Sequence, residues 1–130
     1  MMMLWATKYI SKRYPDCWEF VREVYDTELG IDLPTMTNVF PDLRKIIKAI
    51  ESHPHKTEWT KIDEPHELCG VAMAQANHMH HVGIWTEADN GKVVHTLDNA
   101  PVVAQSLLQL ERHGFKRIEF YEFGDVTDSK

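Results

Sequence analysis

The feature that most constrains this chain is a change of hydrophobic period part-way along it. Up to Ser52, apolar residues recur every three or four positions, the spacing of a helix face. From Leu68 onward they alternate, or run in short β-branched stretches, as strands do. A helix stripe and a sheet face must bury their apolar sides against something. Helices followed by an antiparallel meander therefore predict an α+β domain. The 130 residues, 43% of them apolar, suffice for one core. With no repeat or linker in view, the expectation is a single domain over 1–130, its core at about 14–123, and a polar tail from Gly124 to Lys130.

The first helix is expected from Cys17 to Leu29. Asp16 is a good N-cap, and Glu19 stands at the capping-box spacing. Phe20, Val21, Val24, Tyr25 and Leu29 make its apolar face, and Gly30 its stop. A second helix is expected over Pro41–Ser52, on a stripe of Leu43, Ile46, Ile47 and Ile50. Ser52–His66 carries Pro54 and Pro65, and most of it reads as loop. Strands follow at Leu68–Gln75, His81–Thr86 and Lys92–Leu97, with Asp89-Asn90-Gly91 in a turn. A short helix is expected over Val102–His113, closed by Gly114, and a last strand over Lys116–Phe123.

Charge narrows the function classes. The net charge is −6 and the pI about 5.7, with Lys and Arg dispersed. That argues against nucleic acid as a partner and against docking on anionic lipid. No apolar run approaches the roughly 18–20 residues of a membrane span. Met1–Tyr14 does not read as a signal peptide, because its apolar part is short and its basic residues follow it. The expectation is a protein made in the cytoplasm, where its two cysteines stay reduced.

Chemistry centres on Cys17. A thiol attacks as a thiolate, and a helix N-terminus or a nearby imidazolium favours that form. Cys17 is expected at the first position of the first helix, and its N–H is one of the unpaired donors there. Cys69 sits in an apolar strand and reads as packing. Of eight histidines, His81 opens the run His-Val-Gly-Ile-Trp, where a strand would hold a base rigidly. His95 lies in the next strand and could fix the tautomer of His81. A two-residue turn at Asn90-Gly91 would set His81 opposite Ala100. A longer loop, with its apex near Ala88, is therefore expected, to set His81 across from His95. Trp18 and Asp16 flank the thiol, and Trp18, Asp16 and Tyr14 are the candidate substrate contacts.

Pro15-Asp-Cys-Trp-Glu-Phe-Val-Arg-Glu-Val-Tyr25 resembles the nucleophile motif of the NlpC family of papain-like cysteine peptidases. The Trp after the Cys, and the Leu-Gly-Ile-Asp-Leu-Pro that follows, look like the branch found in bacteriophage tail assembly proteins. His81-Val-Gly-Ile-Trp85 is similar to the family's histidine motif, and Val94-His95 to its third polar position. The resemblance spans roughly Asp16 to Phe123. It implies a papain-like fold, with the Cys helix packed on an antiparallel sheet that carries both histidines. It also implies a Cys17–His81–His95 triad with no metal or cofactor. The implied substrates are peptidoglycan stem peptides, cut near D-γ-glutamyl linkages, and phage tail proteins are implied partners. The family's usual Tyr-x-x-Gly segment upstream of the Cys is replaced here by Leu4–Tyr9, with Tyr9 or Tyr14 as substitutes, and the Gly-Asp entry to the first strand by His66–Gly70. Two rival readings remain. One is a metal site built from Cys69, His78, His80 and His81. The other is a papain-like module kept for assembly and without turnover.

Overall fold

The computed structural model describes residues 5–33, 59–74, 79–97 and 100–123. The helix expected over 41–52 and the tail over 124–130 lie outside them. The described residues form an α+β arrangement around one antiparallel sheet. Its strands are β1 (Trp59–Ile62), β2 (Gly70–Ala74), β3 (Met79–Thr86), β4 (Lys92–His95), β5 (Val103–Gln105) and β6 (Arg117–Phe123). Their order across the sheet is β1-β6-β2-β3-β4-β5. The helices are α1 (Cys17–Val24) and α2 (Leu107–Arg112).

Alternation along the central strands sorts side chains to two faces. Ala72 and Ala74 of β2, with Ile84 and Val94, face α1 and pack with its Phe20, Val21 and Val24. Those three helix residues have no exposed surface, and burying each contributes roughly 1.5–3 kcal/mol. Trp5, Tyr9, Tyr14 and Trp18 complete that layer. Val71 and Met73 point the other way and join Trp85, Val93, Phe115 and Leu110 of α2. In β6, Ile118 and Phe120 serve this second face and Tyr121 the first, as the sequence pattern suggests.

Asp16 caps α1 as expected. Its backbone is extended, and its carboxylate accepts from the Glu19 N–H at 2.9 Å. The reciprocal half of the capping box is replaced, because the Glu19 carboxylate pairs with Arg22 at 2.8 Å. The helical run continues to Leu29 with its last turn widened to a π-turn (Tyr25–Leu29), and it ends at Gly30 in the left-handed region. Tyr25 Oη donates to the Leu68 carbonyl at 2.7 Å, which ties this turn to the segment entering β2.

Two expectations need correction. Most of Ser52–His66 was expected to be loop and no strand was expected there, yet Trp59–Ile62 is an edge strand paired with β6. The stretch is only four residues long, and Thr60 and Lys61, on opposite faces, are both exposed, so it has little apolar alternation to read. Val102–Gln105 was expected to open a helix, yet Val103–Gln105 is β5, paired with β4. Ser106 caps the helix that follows through a full capping box with Gln109, and so starts α2 only at Leu107.

Candidate active site

β3 and β4 form a hairpin closed by residues 87–91, with Thr86 paired to Lys92. Asp89 and Asn90 both adopt positive φ in this loop, a conformation that Asp and Asn tolerate better than most residues. The longer loop is thus present, but His81 does not lie directly across from His95. Gly83 is the residue opposite His95, and His81 sits two positions away on the diagonal. Long side chains still meet across that diagonal. His81 Nε2 and His95 Nδ1 are 2.8 Å apart, and the two rings cross edge to face.

Gly83 makes the meeting sterically feasible. A Cβ there would stand 2.8 Å from the Val94 carbonyl oxygen and 2.9 Å from the His95 Cβ. Any larger residue would push β4 away from β3. Phe115 stacks on the His81 ring at 5.5 Å and 24°. Both imidazoles are 3% exposed. Burial pushes the His95 pKa below its usual value, with the His113 charge acting in the same direction and the Gln105 hydrogen bond opposing it.

Register puts both imidazoles on the Met73–Phe115 face of the sheet, since His81 pairs with Met73. The body of α1 packs on the other face. The resemblance implied the Cys helix packed on an antiparallel sheet that carries both histidines; the sheet carries them, on the face opposite the body of α1. The segment that leads into Cys17 runs along one end of the sheet. Residues 11–13 pair with 101–102 through an Arg13–Pro101 bridge and hydrogen bonds from Ser11 N to Val102 O and from Val102 N to Lys12 O. Pro101 and Val102 lead directly into β5, whose Val103 is paired with His95. The chain therefore enters α1 from the end of the sheet at which β4 finishes, and α1 runs on along β3. Cys17, the first residue of α1, is 9% exposed, and neither cysteine is in a disulfide.

The other candidates fall in different places. Asp16 is the helix cap. Trp18 is 4% exposed and belongs to the α1 core layer. Tyr14 is in the same layer, set edge-on to Phe20, and it also lines a groove of about 550 Å³ on the outer side of α1. Pro15, Glu19, Arg22, Glu23 and Asp32 share that groove; Cys17, His81 and His95 are not in its walls. Of the upstream tyrosines, Tyr9 is buried and its hydroxyl bonds Glu28 at 3.0 Å. Two contributors escaped the sequence reading. Gln105 Oε1 lies 2.8 Å from His95 Nε2, and Phe115 covers His81. The Ser106-x-x-Gln109 capping pattern was the signal that would have freed Gln105 from a helix.

Of the residues weighed for a metal, His78 lies outside the described residues, and the His80 side chain is not described. Among the described residues, no group of three or more His, Cys, Asp or Glu converges as metal ligands would. None of their helices is long and apolar enough to cross a membrane. Comparison of the chain with family models, curated proteins and solved structures gives no match.

Proposed function

We propose that this chain is a papain-like cysteine hydrolase of the NlpC type, with Cys17 as nucleophile, His81 as base and His95 as the residue that orients His81. The observation that carries the reading is the 2.8 Å contact between His81 Nε2 and His95 Nδ1. A buried imidazole pair of this kind spends one nitrogen of each ring on the other and leaves His81 Nδ1 to serve a second group. The chain enters α1 from the same end of the sheet, which supports Cys17 as that group.

In the reaction, His81 Nδ1 takes the Cys17 proton, and the thiolate attacks the carbonyl carbon of an amide. The helix N-terminus favours the thiolate, and the Cys17 N–H donates to the oxyanion. The tetrahedral adduct collapses, the C–N bond breaks, and His81 gives its proton to the leaving amine. Water, deprotonated by His81, then cleaves the thioester and restores the thiol. Tyr14 and the groove beside it, lined by Pro15, Glu19, Arg22 and Glu23 around the same helix, offer a surface on which a substrate chain could lie. The substrate class, peptidoglycan stem peptides at D-γ-glutamyl bonds, and a phage tail setting rest on the sequence resemblance. The direct test is release of new amines from defined stem-peptide fragments. Turnover by the wild type and none by Cys17→Ala supports the reading; equal turnover by both sinks it.

A second reading, an assembly module without turnover, draws on the burial of the site. With Cys17 9% and His81 3% exposed, a substrate carbonyl reaches the thiol only if the covering residues move. Turnover of no fragment, with Cys17 alkylating like an ordinary thiol, would favour it.

A further inference from the structure

We propose that Gln105 is a positioning residue that fixes which nitrogen of His81 is the base. This rests on the reading of Cys17 and His81 as nucleophile and base. A carbonyl oxygen only accepts, so the 2.8 Å contact of Gln105 Oε1 requires a proton on His95 Nε2. Burial keeps His95 neutral, and a neutral imidazole holds one proton, so His95 Nδ1 is an acceptor. His81 Nε2, 2.8 Å away, must then donate. With its proton on Nε2, neutral His81 carries its lone pair on Nδ1, the nitrogen that would take the thiol proton.

The polarity runs one way through three side chains: His81 Nε2–H to His95 Nδ1, and His95 Nε2–H to Gln105 Oε1. It also suits the state after proton transfer. Imidazolium His81 still donates from Nε2, and His95 need not change. The opposite polarity, with the Gln105 amide donating to His95 Nε2, would put the proton of each ring on Nδ1. His81 would then present no lone pair to a thiol. The fold holds Gln105 to this task. It pairs with Val93 in β5, on the face that carries His95, and the Ser106 cap starts α2 immediately after it. Glutamine suits the position because it accepts without adding a charge beside a buried ring.

Nitrogen-15 NMR of histidine-labelled full-length protein near neutral pH reads the tautomers directly, with the two rings assigned through His81→Asn and His95→Asn. The expected pattern is an Nε2 proton on both rings. In Gln105→Met, similar in size but without an acceptor, the bias at His95 is lost. Cys17 alkylation then slows roughly fivefold, the loss of about one ordinary hydrogen bond. Gln105→Glu, which again accepts, keeps the proton on His95 Nε2. An Nδ1 proton on either ring of the wild type overturns the proposal, and that needs no variant to fold. So does a pattern unchanged in Gln105→Met. The two layers fail differently. Wrong tautomers with a reactive Cys17 overturn the role of Gln105 alone. An ordinary Cys17 with the expected tautomers overturns the nucleophile–base pair, and with it the catalytic meaning of the tautomer control.

Discussion

Cys17 and Cys69 are both buried thiols, 9% and 1% exposed, in contrasting settings. Cys69 stands just ahead of β2. Burial pushes its pKa up to about 11, and the carboxylates of Glu87, Glu122 and Glu67 add to the effect against the Cys69–His66 hydrogen bond. The balance of that setting is against a thiolate. Cys17 opens α1, where the helix end carries partial positive charge, and its chain arrives from the end of the sheet that holds two imidazoles. Burial alone makes a thiol inert. What separates the two is the helix start at Cys17 and, under the proposed function, the His81 base.

The largest effect should separate the two cysteines in the reaction itself. Cys17→Ala should cost roughly 10³-fold or more in amide hydrolysis, as loss of a nucleophile does. Cys69→Ala should leave the rate within about twofold. Comparable losses in both would erase the distinction. Next comes the close approach that lets the imidazoles meet. Gly83→Ala should destabilise by about 1–3 kcal/mol in denaturant titrations, the cost of overpacking against a strand, and should slow hydrolysis as well. An unchanged midpoint would mean that β4 yields freely.

The imidazole pair should also make stability depend on pH. The His95 pKa is lower in the folded state than its usual 6.5. The unfolded chain therefore takes up the proton first as pH falls. Stability is fully present above 6.5 and declines below it, at no more than about 1.4 kcal/mol per pH unit. Urea midpoints at pH 7.5 and 5.5 measure this, and His95→Asn should flatten the difference. The smallest effect concerns the Cys17 side alone. Asp16→Ala removes the cap and should cost about 1 kcal/mol, with Asp16→Asn retaining most of it.

The α1 side of this comparison was legible in sequence because its signals are local. An N-cap, a 3.6-residue stripe and a stopping glycine are all read within fifteen residues, and each was found where expected except that Leu29, at the end of the stripe, is exposed. The last turn is of π type because the Gly30 N–H reaches the Tyr25 carbonyl five residues back, which no local pattern announces. The histidine side was legible only in part. His81 and His95 stood out as polar residues in apolar strands, but their register depended on a five-residue hairpin loop, and they meet on the diagonal across Gly83. The face they occupy could not be read without the pairing of His81 to Met73. Gln105 was hidden because Val102–Gln105 runs into a helix, and only the Ser106 cap divides strand from helix. β1 was missed because a four-residue edge strand has too few buried positions to show a period.

The central claim is that the fold activates Cys17 and not Cys69 through His81. The measurement that tests it most directly is the rate of Cys17 alkylation by iodoacetamide across pH, in Cys69→Ala protein with His81→Ala added as the control. The account predicts a thiolate that persists well below the free-thiol value of about 8.5 and is lost in the control. A titration at the ordinary thiol value, unchanged by His81→Ala, would contradict it.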